Sequence, residues 1–186
     1  MSVGPDRDSV KAGAVAALRA ALIDGEGVAE ALRGCWYRNP LFASTLLSES
    51  VRLRFARDCD VRLITGFIAR IRSSRRAVPL GFPSREAEAL IRACLGEVAL
   101  LEAVDPSVLS YPELGIAILG RLFEEWRPGG AEVRSLFQQV DAALPAMHEL
   151  FPGLGPGEED WFAAGMHESP FAALVGEGPP QRVEEG

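Results

Sequence analysis

Apolar residues recur at helical intervals along almost the whole chain, and no stretch alternates apolar with polar positions long enough to form a half-buried strand. The pattern predicts an all-α fold: a compact, irregular bundle of seven to nine helices without significant β-sheet. The first helix is expected from about Ser9 to Ile23, with Val10, Ala14, Ala17, Leu18 and Ala21 on one stripe and Asp24-Gly25 closing it. A short second helix from Val28 to about Cys35 leads to the aromatic pair Trp36 and Tyr37. Asn39 before Pro40 is a start signal, because asparagine can accept a bond from an unpaired amide and proline in the first turn forfeits none. The third helix then runs to about Arg57. Asp58 or Asp60 caps a fourth, whose Val61, Ile64, Phe67, Ile68 and Ile71 define a buried face up to Arg72.

Ser73 to Pro83 is rich in serine, arginine and proline and reads as an exposed loop between two halves. A long helix is expected from Ser84 to just before Asp105-Pro106, with Ala87, Leu90, Ile91, Cys94, Leu95, Val98 and Leu101 on one side. Ser110 and Glu113 have the spacing of a capping box. The helix they open reaches Trp126, is apolar on most sides and is expected at the centre of the packing. Arg127-Pro128-Gly129-Gly130 ends it. Val133, Leu136, Phe137, Val140, Leu144, Met147 and Phe151 form one more stripe, in which Pro145 should kink or split the helix. A glycine-proline loop over 152–157 and short helices around Trp161 and Phe171 follow. Residues 1–175 read as one domain and 176–186 as a polar, disordered tail.

With 186 residues and 48% hydrophobic content the chain can fill a core without a disulfide or metal staple. Cys35, Cys59 and Cys94 are odd in number and show no paired spacing, so they read as free thiols in a reducing cytosol. Cys94 falls on an apolar stripe and reads as core, whereas Cys35 beside Trp36 reads as the more exposed thiol. No apolar run approaches the length of a membrane span, and the charged start does not resemble a secretory signal, so a cytoplasmic location is expected.

Charge changes the picture most. From Arg52 to Arg92 ten arginines face four carboxylates, a balance of +6, whereas from Glu97 onward four arginines face sixteen carboxylates, a balance of −12. The net charge of −7 conceals this division. On the fourth helix Arg62, Arg70 and Arg72 lie off the apolar stripe, with no carboxylate after the cap to pair with them, and Arg75 and Arg76 extend the patch. Exposed arginines are often no more than a solvated face. The functional reading is an anion-binding surface. A helix-turn-helix could be imagined from the third and fourth helices, but the acidic half opposes the positive field that nucleic acid requires.

No phosphate-binding loop, nucleophile elbow or zinc-protease motif occurs. Gly153, Gly155 and Gly157 alternate but follow a helix instead of a strand, so they read as a turn. The pairs His148-Glu149 and His167-Glu168 are the only grouping suggestive of metal, and adjacent helical residues point about 100° apart, which opposes convergence. No cofactor, metal or catalytic set is therefore assigned. The leading expectation is a non-catalytic protein-interaction or regulatory module in which Arg62, Arg70, Arg72, Arg75 and Arg76 recognise an acidic protein surface, a second copy included. The alternative is a helical small-molecule binder with an apolar pocket near Trp36, Tyr37, Trp126 or the Pro145 bend, and the third is an enzyme of an unfamiliar class.

Overall fold

The computed structural model describes residues 7–55, 59–74, 82–103 and 112–150. Among these the chain is all-α, as its periodicity predicts, with seven α-helices, a short 3₁₀ turn and no strand. The helices are α1 (Arg7–Asp24), α2 (Val28–Arg38), α3 (Pro40–Arg54), α4 (Val61–Ser73), α5 (Ser84–Cys94), α6 (Pro112–Trp126) and α7 (Gly130–Leu150), and the 3₁₀ turn is Val98–Ala103.

Local chemistry accounts for most boundaries. Asn39 Oδ1 accepts from the Phe42 amide at 3.2 Å, and Pro40 starts α3. Asp60 Oδ1 accepts from the Arg62 amide at 2.9 Å and so caps α4. Gly25 and Gly27, with φ of 75° and 66°, turn the chain between α1 and α2.

The long helix expected from Ser84 to beyond Leu101 is shorter. Helix α5 ends at Cys94, Gly96 takes a φ of 110°, and the 3₁₀ turn follows. The apolar stripe does continue, but the Arg92 carbonyl accepts from the amides of both Leu95 and Glu97, which closes the last turn tightly. Pro145 does not split the last helix, which is continuous to Leu150. Ser110, the loop over 75–81, the segment around Trp161 and Phe171 and the tail lie outside the described residues.

The hub of the bundle is α3, not α6. Helix α3 packs against α2, α5, α6 and α7, and its residues 40–48, 50 and 51 are buried. Four of these are hydroxyl-bearing (Ser44, Thr45, Ser48 and Ser50), which hides the helix from a hydrophobicity reading. Small side chains let neighbouring helices approach. Thr45 returns its hydroxyl to the Leu41 carbonyl at 2.8 Å, whereas Ser44 Oγ and Ser50 Oγ have no partner among the described residues. Helix α6 buries one broad face, Leu114, Gly115, Ile116, Ile118, Leu119, Leu122 and Phe123, against α2, α3 and α4. By contrast α1, apolar through much of its length, buries only Ala14, Leu18 and Leu22 and leaves Val10 and Ile23 exposed.

Candidate interaction site

The end of α3 and the outer face of α4 meet in an arginine-rich groove. Phe55, the residue that ends α3, turns its ring inward against Phe67 of α4, with centroids 5.5 Å apart in an edge-to-face arrangement. Each ring carries a guanidinium: Arg54 lies 5.5 Å from the Phe55 centroid and Arg70 lies 5.9 Å from that of Phe67. Stacking of this kind narrows the arrangements open to a long side chain.

Glu125 of α6 gathers the charges. Arg70 donates through Nε and Nη2 to its two carboxylate oxygens at 2.7 and 3.2 Å, a two-pronged pair. Arg121 donates through Nε at 2.9 Å, and Arg54 Nη2 approaches to 3.7 Å. Only 18% of the Glu125 side chain is exposed. The hydrogen bond from Arg70 holds the Glu125 carboxyl below its ordinary value, and the same bond raises Arg70.

Among the described residues, Arg54, Phe55, Cys59, Arg62, Leu63, Gly66 and Arg70 line a hollow of about 340 Å³, and none of them is a carboxylate. Arg62, Gly66 and Arg70 are spaced four residues apart on α4, so they form one row about 12 Å long with a gap at its centre. Among the described residues no carboxylate pairs with the Arg62 guanidinium. Leu63, one of its lining residues, is exposed, and the exposed Leu53 and Val61 directly precede the lining residues Arg54 and Arg62 in the chain.

The arginines singled out in the sequence therefore divide. Arg62 and Arg70 share the groove. Arg72 is exposed but sits about 200° around the helix from Arg70, on the opposite flank. Arg75 and Arg76 lie outside the described residues. Three participants escape sequence reasoning. Arg54 belongs to a different helix, Phe55 follows that helix's last turn, and Glu125 is separated from Arg70 by 55 positions. The one available signal is the absence of carboxylates from α4, which requires a counter-charge from elsewhere.

The three aromatic candidates do not share a pocket. Trp36 is buried, with its indole directly over Gly115, and acts as a plug between α2 and α6. Tyr37 is exposed and donates its hydroxyl to Glu113 Oε1 at 2.9 Å. Its pKa is raised, by partial burial first and by Glu113 second. Trp126, at the other end of α6, stacks on Phe123 with centroids 6.1 Å apart and donates Nε1–H toward Glu132 at 3.4 Å. The larger hollow, about 630 Å³, lies elsewhere, between α1 and α7, and is lined by Val15, Arg19, Ile23, Phe42, Phe137 and Leu144 among others. It reaches the turn that precedes Pro145.

The thiols also need a correction. Cys35 is fully buried, and burial pushes its pKa to about 12. Helical phase explains this, since Cys35 falls one turn after the buried Leu32 and beside the Trp36 plug. Cys94 is core as expected, and burial likewise raises it to about 12 despite nearby Arg52. Cys59, half-buried, lines the arginine groove. No group of three or more histidine, cysteine, aspartate or glutamate side chains is placed to hold a metal among the described residues. The side chains of His148 and Glu149, and residues 167–168, lie outside that set. No helix among the described residues is long and apolar enough to cross a membrane. Comparison with protein-family models, with curated proteins and with solved structures gives no match.

Proposed function

We propose that the protein is a non-catalytic interaction module that captures an acidic protein surface in the groove between the end of α3 and α4. The observation that carries this reading is the excess of guanidinium over carboxylate among the described residues that line the groove: Arg54, Arg62 and Arg70 line it, and Glu125, the carboxylate shared by Arg54 and Arg70, stands outside the lining. Arg62, and Arg54 with only a long 3.7 Å approach to Glu125, keep donors for a partner, while the fork between Arg70 and Glu125 fixes the wall. Guanidinium suits the task because its planar donors match carboxylates in pairs. An acidic region of a second copy has the required chemistry as well. The unpaired spacing of the three cysteines, two of them deep in the core, supports a reducing compartment, the cytoplasm, as part of this reading.

The test is fluorescence polarisation with a labelled oligoglutamate peptide. Replacing Arg54 and Arg62 together by glutamate should remove binding, and raising salt should weaken it in the parent protein. Undiminished binding by the double variant would discard the reading. The hollow beside Leu144 supports a second one, capture of a small apolar molecule between α1 and α7. An apolar dye displaced from the protein by Leu144→Gln, and indifferent to the arginine substitutions, would favour it.

A further inference from the structure

Arginines alone do not account for the shape of the groove. Its lining also contains Phe55, Leu63 and Gly66, and Leu63 is 60% exposed, an unusual position for a leucine. Gly66 sits in the middle of α4, where glycine weakens a helix by about 1 kcal/mol relative to alanine. Neither backbone nor packing demands it. Its φ is not positive, and a Cβ there would meet only Arg70 Nη1, at an ordinary 3.6 Å. What the glycine does is leave a gap between Arg62 and Arg70, floored by Phe55 and edged by Leu63.

We infer that this gap is an apolar slot, and that the partner is an acidic segment carrying a large apolar side chain between its carboxylates. The side chain enters over Gly66 against Leu63 and Phe55, while flanking carboxylates reach Arg62 on one side and Arg54 on the other. A hollow of about 340 Å³ has room for a leucine or phenylalanine side chain together with its flanking backbone. The concave form favours a peptide side chain over a flat anionic membrane surface. This inference rests on the arginine groove being the partner site, and its test separates the two.

Two labelled peptides of equal length and charge serve as probes, one alternating aspartate with leucine and the other aspartate with serine. Burying an apolar side chain in the slot should make the leucine peptide bind about tenfold more tightly. Gly66→Leu fills the slot and improves helix propensity, so the variant should keep its helical circular dichroism. It should also bind both peptides alike, as should Leu63→Ser. Equal binding of the two peptides to the parent protein overturns the slot and leaves the arginine reading standing. A leucine preference that survives Gly66→Leu overturns its location. If neither peptide binds, both readings fail, and if anionic phospholipid vesicles bind while the peptides do not, the occupant is a membrane surface and the peptide inference is wrong.

Discussion

The indole of Trp36 occupies the space in which a side chain at Gly115 would begin: a Cβ built there would lie 2.0 Å from the ring. This relationship locks α2 to α6 at one register, since the glycine is the only residue that admits the ring. Gly115→Ala should destabilise the fold by about 2–4 kcal/mol, the range expected when a rigid aromatic is forced out of a packed interior. Urea unfolding followed by tryptophan fluorescence measures it. Trp36→Leu combined with Gly115→Ala should recover part of the loss, and strict additivity of the two substitutions would show that they do not meet.

The carboxylate of Glu125 makes an acid-sensitive joint. Its pKa in the fold lies below the ordinary 4.5, chiefly through the bond from Arg70, so the native state favours the charged form. Its contribution is complete above the unfolded value and is lost as pH falls from there through the folded value. Glu125→Gln should therefore reduce stability by about 1 kcal/mol at neutral pH and flatten the loss of stability below about pH 4.5. Thermal melts of both proteins across that range decide it. An unchanged acid limb would mean that the pair contributes nothing.

How much of this was legible in the sequence depended on whether the signal was local. The caps at Asn39 and Asp60, the apolar face of α4 and the core placement of Cys94 each follow from residues within one or two turns. The centre was expected at α6 and falls at α3, whose serines and threonine carry no hydrophobic signal and become interior only through the helices packed around them. Cys35, expected to be the more exposed thiol beside Trp36, is buried because it falls one helical turn after the buried Leu32, and Trp36 is itself interior. Of the candidate groove, the sequence carries only the deficit of counter-charge on α4. That the deficit is partly filled by Glu125, and that Arg54 replaces Arg72 at the groove, are consequences of tertiary packing that no window along the chain contains.

Helix α3 also carries two fully buried hydroxyls without a hydrogen-bond partner among the described residues, those of Ser44 and Ser50. A buried hydroxyl without a hydrogen bond loses its hydration for no return, and alanine is the better helix former. Ser44→Ala and Ser50→Ala should each stabilise the protein by about 0.5–1.5 kcal/mol. Thr45→Ala, which removes a satisfied hydroxyl and a packed methyl group, should destabilise. A drop in denaturation midpoint for both serine variants would show that water or an undescribed segment reaches these hydroxyls.

The thiols give a kinetic reading of the same core. Burial raises Cys35 and Cys94 from 9.0 to about 12, so at neutral pH both are protonated and enclosed, whereas Cys59 is half-buried in the groove. Alkylation by iodoacetamide should label Cys59 first and label Cys35 and Cys94 only at the rate of unfolding. The sign of the pH effect follows from the raised values. Protonated thiols contribute fully below the unfolded value near 9, and that contribution disappears as pH climbs toward 12. The protein should accordingly lose stability between those limits, and Cys35→Ala should lessen the loss at some cost in packing. Rapid labelling of Cys35 under native conditions would contradict the enclosed junction of α2 with its neighbours, and with it the position of the Trp36 plug.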